Sequence, residues 1–118
     1  MIMFTKSIEM QTNQGLELLY TPDCRAWQQA KINLEQALEQ AGLSNDGFQV
    51  IVVETMEQAR AYNFFASPTV HINGLDVEPQ SRRIKRRGLG VGRPYFYQGQ
   101  ILAAPPVELI KSALKELL

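Results

Sequence analysis

Cys24 and His71 are the single cysteine and the single histidine of this 118-residue chain, and they are where nucleophilic or acid–base chemistry would begin. Cys24 follows Thr21-Pro22-Asp23 and precedes Arg25-Ala26-Trp27, where a short apolar run gives way to a helical pattern. A helix N-terminus offers free backbone N–H groups and partial positive charge, which favours a thiolate by roughly 0.3–1 kcal/mol. Arg25 adds to this effect. Asp23 opposes it, because an adjacent carboxylate disfavours a second negative charge. These effects are of similar size, so the expectation is a thiol that is not strongly activated. With one cysteine no internal disulfide can form. A reaction at Cys24 would give a mixed disulfide with glutathione or a protein, resolved by an outside thiol, or a sulfenic acid. The plain alternative is a small apolar residue half-buried at a helix start. His71, inside a strand pattern, has neither a second histidine nor clustered carboxylates to make a metal site with it, and is read as mainly structural.

Apolar residues form 45% of the chain and charged residues 20%, which excludes a disordered or collagen-like chain and suits one domain over residues 1–118. No apolar run approaches the length of a membrane span, and Met1-Ile2-Met3-Phe4 is too short for the core of a signal peptide. The expectation is a cytoplasmic protein with no membrane contact. Twelve basic residues balance twelve acidic ones, which argues against a dedicated nucleic-acid binder. The balance is uneven along the chain, however: Arg82, Arg83, Lys85, Arg86, Arg87 and Arg93 fall in a stretch with no acid between Glu78 and Glu108.

The elements that would position these residues follow from periodicity. Residues 1–14 form an N-terminal extension or supply an edge strand. Leu16–Tyr20 reads as a strand closed by Thr21-Pro22-Asp23. Trp27, Ala30, Leu34, Ala37, Leu38 and Ala41 recur at helical spacing, with Gly42 as the stop. Phe48–Val53 reads as a strand covered on both faces. Thr55 and Gln58 form a capping-box pattern opening a short helix through Tyr62. Asn73-Gly74 between Thr69–Ile72 and Leu75–Val77 signals a type I′ hairpin. Tyr95–Tyr97 and Ile101-Leu102 suggest a second ribbon, and Pro105-Pro106 precedes a final amphipathic helix with Pro106 in its first turn.

This order of strand, helix, strand, helix, hairpin and helix resembles the thioredoxin-like superfamily: an α/β fold with a mixed central sheet of about four or five strands flanked by three helices. Three features carry the resemblance: Cys24 at the junction of the first strand and helix, Ala66-Ser67-Pro68-Thr69 opening the hairpin, and the Asn73-Gly74 turn. The chain is also similar, more weakly, to small bacterial thioredoxin-like proteins labelled alkylmercury-lyase-like, which have a C-P-x-W helix start and a Ser-Pro-Thr segment. The resemblance implies a cis peptide at Pro68 facing the cysteine, and a backbone there that pairs with a bound peptide. Two departures matter. Trp27 stands where the second cysteine of C-x-x-C would be, and Gly92-Arg93 stands where the alkylmercury-lyase-like proteins have theirs. A dithiol cycle is therefore impossible, which leaves open whether the chain is an enzyme.

Two functions stay open on this reading. One is single-thiol redox or mixed-disulfide chemistry at Cys24, with glutathione or a protein thiol or disulfide as partner and no bound cofactor. The other is a non-catalytic module using the groove beside Pro68. Ser67, Pro68, Thr69 and Trp27 are the candidate binding residues at that groove, Trp27 being read mainly as core and alternatively as a lid over Cys24. In the basic, glycine-rich segment 79–93, Arg82, Arg83, Arg86 and Arg87 are candidates for attracting an anionic partner, against the commoner case of a solvated, mobile loop. A third possibility is an oligomer or scaffold with Tyr95, Phe96 and Tyr97 at its interface; the sequence does not fix the oligomeric state.

Overall fold

The computed structural model describes residues 15–118, so the edge strand expected within residues 1–14 lies outside them. Strand β1, Leu16–Tyr20, alternates its side chains between two cores. Leu16 and Leu18 join the larger core, with Val70 and Ile72 from β3 (Thr69–Ile72). Helices α1 (Trp27–Gln40) and α3 (Val107–Leu117) cover that face through Ala30, Leu34, Ala37 and Leu38, and through Leu109, Ile110, Ala113 and Leu114. Leu19 points the other way and packs with Val53, Phe64 and Ala59, the last from α2 (Met56–Ala61).

The sheet is mixed. β1 runs parallel to β2 (Gln49–Val52) and antiparallel to β3, which pairs with β4 (Leu75–Asp76), giving the order β2-β1-β3-β4. A separate ribbon joins β5 (Tyr95–Tyr97) to β6 (Gln100–Leu102). Among the described residues this is an α/β chain with three helices, a four-stranded mixed sheet and a two-stranded one.

The local devices act through ordinary capping and turn chemistry. Thr55 Oγ1 accepts from the Gln58 N–H at 3.1 Å while Gln58 Oε1 accepts from the Thr55 N–H at 3.1 Å, closing the capping box. Asn73 and Gly74 have φ of 53° and 81°, as a type I′ turn requires. Gln98 and Gly99, at 50° and 79°, make the second ribbon turn the same way.

Two expectations are corrected. Phe48–Val53 is not a strand covered on both faces: among the described residues β2 is an outer strand, and Val50 is 43% exposed. Branched apolar residues suit any pleated strand, so the run marks a strand without fixing its place in the sheet. Pro106 is the N-cap of α3 rather than a residue of its first turn.

Segment 79–93 is built into the molecule. It opens with a short 3-10 helix, Pro79–Arg83, and then folds back along Phe64–Ser67. No helix among the described residues is long and apolar enough to cross a membrane.

Burial dictates how two substitutions should differ. Leu34→Ala, at a fully buried site on α1, is expected to cost about 2–5 kcal/mol in urea unfolding, whereas Val50→Thr on the outer strand should cost less than about 1 kcal/mol.

Candidate functional site

The site forms at the rim where β1 ends and β3 begins. Leu19 pairs with Thr69, so the chain leaving β1 lies beside the chain entering β3. Thr21 N–H donates to Ser67 Oγ at 3.1 Å, and Cys24 N–H donates back to the Thr21 carbonyl at 3.0 Å. These two bonds set the Cys24 turn against Ser67-Pro68, whose peptide bond is cis.

Cys24 is 5% exposed and lines a cavity of about 540 Å³. One wall is the Cys24–Ala26 turn, the second runs from Val91 to Pro94, and the third is Ile101–Ala103 at the end of the ribbon. The side chains of Val91, Pro94, Ile101 and Leu102 make it largely apolar, and Asp23, Arg25 and Arg93 are the charged residues that line it. Ile101, at 72% exposure, is the most exposed large apolar side chain among the described residues. A neighbouring cavity of about 260 Å³ shares Asp23 and Val91 with the first and is also lined by Thr21, whose buried Oγ1 has no hydrogen-bond partner.

The second wall is held by the backbone. Gly88 N–H donates to the Phe64 carbonyl at 3.2 Å and Gly90 N–H to that of Phe65 at 3.3 Å. Ser67 N–H donates to the Gly90 carbonyl at 2.8 Å, and Arg93 N–H to the Ser67 carbonyl at 3.0 Å. Segment 88–93 is thus a strap paired alongside Phe64–Ser67, and both backbone groups of Ser67 are taken by the chain itself. Glycine eases this approach: a Cβ on Gly90 would come within 3.2 Å of the Ala66 Cβ and the Phe65 oxygen, so those neighbours would have to give way.

Arg93 anchors the strap. The residue is 4% exposed, with its guanidinium over the rings of Phe65 and Tyr95 at 4.8 and 4.2 Å. Its two terminal nitrogens donate to the two Asp76 oxygens, each at 2.9 Å, and further bonds reach Thr69 Oγ1 at 2.8 Å and Glu78 Oε1 at 3.3 Å. Although burial opposes the charge, Tyr95, Asp76 and Glu78 hold the Arg93 pKa above its ordinary value. Burial pushes the Tyr95 hydroxyl well up, and that hydroxyl donates to the Pro68 carbonyl.

The candidates from sequence are divided among separate places. Cys24 and the Ser67-Pro68-Thr69 segment meet at one rim. Trp27 stacks on Tyr20, with ring centroids 4.2 Å apart and planes 11° apart, and packs against the larger core rather than lining the Cys24 cavity. Arg82, Arg83, Arg86 and Arg87 do not line that cavity either. Arg82 forks onto Glu116 at 2.8 and 2.9 Å, Arg86 lies over Phe65, and Arg87 reaches carbonyls and Asn63, while Arg83 points to solvent. Of Tyr95, Phe96 and Tyr97, only Phe96 is exposed. Sequence reasoning missed the strap and its anchor. Their signal was the alternation Gly88-x-Gly90-x-Gly92, a strand side without Cβ atoms, ending in an arginine whose acids lie upstream at Asp76 and Glu78. Among the described residues no group of three or more His, Cys, Asp or Glu could hold a metal ion.

No family model, curated protein or solved structure matches the chain.

Two outcomes follow from this geometry. Gly90→Val should push the strap off Phe65-Ala66 and speed iodoacetamide alkylation of Cys24 several-fold in a protein that still unfolds cooperatively; an unchanged rate would show that the strap does not limit access. His71 is 4% exposed, and burial lowers its pKa below 6.5, opposed by Asp76 and reinforced by Arg93 and Arg87. The unfolded chain therefore takes up a proton before the folded one does, and stability should fall as pH drops through 6.5. Glu17, whose pKa burial raises above 4.5, acts in the opposite sense at lower pH. Urea midpoints between pH 7.5 and 5.5 should decline for the native chain and decline less for His71→Gln.

Proposed function

We propose that the chain is a thioredoxin-like binding module in which the cavity beside Cys24 receives an apolar side chain or small apolar ligand. The fold part of this reading is supported by the element order, by the sheet order β2-β1-β3-β4, and by α1 and α3 packing on one face with α2 on the other. The cis Ser67-Pro68 bond beside the Cys24 turn supports it further. The observation that carries the functional part is the burial of the sulfur in a cavity whose walls are mostly hydrocarbon. Reactive cysteines sit in electropositive, partly exposed places, whereas Cys24 is 5% exposed. Arg82, Arg83, Arg86 and Arg87 lie elsewhere, and of the two arginines that line the cavity, Arg25 and Arg93, the second has its charge met by Asp76 and Glu78. Arg83 and Arg86, both exposed, steer an acidic partner toward the loop without forming part of the cavity.

A second reading is single-thiol chemistry: the Cys24 thiolate attacks a disulfide such as oxidised glutathione, forms the mixed disulfide and releases one glutathione thiolate. The cavity favours it in one respect, since a volume of about 540 Å³ beside the sulfur leaves space for a small partner, and Arg25 borders it. In either reading the chain acts without a dithiol cycle and without a metal or organic cofactor.

Alkylation of Cys24 as a function of pH, with Cys24→Ser as the blank, separates the two. The binding module should react at least about tenfold more slowly when folded than in urea, and should gain no glutathione adduct by mass spectrometry. A folded-state rate half-maximal near pH 7 or below, together with a captured glutathione adduct, would replace it with the single-thiol reading.

A further inference from the structure

On the sheet face that carries α2, away from the Cys24 cavity, lies a second polar hollow. It has a volume of about 130 Å³ and is lined by His71, Asn63, Asp76, Ser81, Arg82 and Arg87, among others. At about 30 Å³ per water it holds roughly four waters, or one tetrahedral ion. His71 reaches it from the middle of β3. Its ring has no hydrogen-bond partner among the described residues; the nearest carboxylate contact is Nδ1 to Glu17 Oε1, at 4.0 Å. Among the described residues Arg87 is bound only by neutral oxygens, donating to the carbonyls of Ile84 and Arg86 at 3.0 and 2.9 Å and to Asn63 Oδ1 at 3.2 Å. The other charges at this place are compensated. Asp76 is held by Arg93, and Arg82 is forked onto Glu116 while its Nε donates to the Asp76 carbonyl at 2.7 Å.

An imidazole with no hydrogen-bond partner among the described residues, beside a cation that those residues leave without a counter-charge, is a donor set that lacks its acceptor. We propose that this hollow binds a small tetrahedral oxyanion, a phosphate ion or the phosphoryl group of a monoester, between Arg87, Asn63 and His71. The ion accepts from the Arg87 guanidinium and the Asn63 amide, and from His71 once the ring is protonated. Glu17 lies on the Nδ1 side, so the imidazolium is flanked by a carboxylate from β1 and the bound anion. The remaining charges facing the ring are Asp76 on β4, and Arg87 and Arg93 from the loop. Binding therefore takes up a proton onto His71, and it is independent of the Cys24 reading.

Because His71 is the single histidine, its ring resonances report on this site without ambiguity. The full chain is titrated with inorganic phosphate, and separately with O-phosphoserine, at constant ionic strength in chloride, following the His71 ring signals by NMR at several pH values. The site requires a saturable shift and an upward move of the His71 titration with at least one of the two probes; response to both places a monoester in the hollow, and response to phosphate alone restricts it to the free ion. Arg87→Gln should weaken binding roughly tenfold. Lys115→Gln, which removes an exposed cation outside the hollow, should change it less than about twofold. Asn63→Gly, which keeps the positive φ of 56° accessible, should weaken it with the fold intact. No saturable shift with either probe, or an equal loss in Lys115→Gln and Arg87→Gln, would overturn the proposal.

Discussion

A guanidinium taken out of water is strongly destabilising unless carboxylates and hydrogen bonds replace its hydration, and Arg93 meets that condition through a two-pronged bond to Asp76, a third contact to Glu78 and a fourth to Thr69. The acids are themselves completed: Glu78 N–H donates to Asp76 Oδ1, Ser81 Oγ donates to Glu78 Oε1, and Phe96 N–H donates to Glu78 Oε2. One buried side chain thereby fixes the hairpin, the 3-10 helix, the ribbon and the start of β3 to each other. An apolar replacement of the same shape could be just as stable, but it would not direct these four segments into one arrangement. The value of the network lies in that specification more than in net stability.

The cavity beside Cys24 depends on this arrangement at one remove. Its apolar walls come from parts of the chain that share no core helix: the turn after β1, the strap and the end of the ribbon. The strap has little side-chain packing of its own, with Leu89 and Val91 both exposed. Its position comes from four backbone hydrogen bonds and from the arginine at its end. Backbone pairing of this kind tolerates glycine and punishes a side chain at Gly90, so a low-complexity stretch of sequence is a structural wall in the fold. The same pairing removes the free edge beside Pro68 that a bound peptide would otherwise use.

Much of the frame was legible in the sequence because it is set locally. The helical spacing of Ala30, Leu34, Ala37 and Leu38, the Thr55–Gln58 box and the Asn73-Gly74 turn each determine their element within a few residues. The outer position of β2 was not legible, since Val50 and Val52 read the same in an outer or a central strand until the pairing partners are known. Least legible was the role of segment 79–93. Its basic residues look like one patch in sequence, but folding divides them: Arg93 goes to a buried ion cluster, Arg82 to Glu116, Arg87 to a hollow on the sheet face, and Arg83 to solvent. These destinations depend on partners from 17 to 34 residues away, which no local pattern encodes. The cysteine was correctly located at the junction of β1 and α1, while its enclosure came from the strap and ribbon far along the chain.

Native-state hydrogen exchange reads the strap most directly, because it reports the four backbone bonds individually. If the Arg93 network holds segment 88–93 against Phe64–Ser67, the amides of Ser67, Gly88, Gly90 and Arg93 exchange slowly, with protection within about tenfold of the β3 amides. Exchange of those four at the rate of an unstructured chain, while β3 remains protected, would show a loop free of the sheet and leave the Cys24 cavity without its second wall.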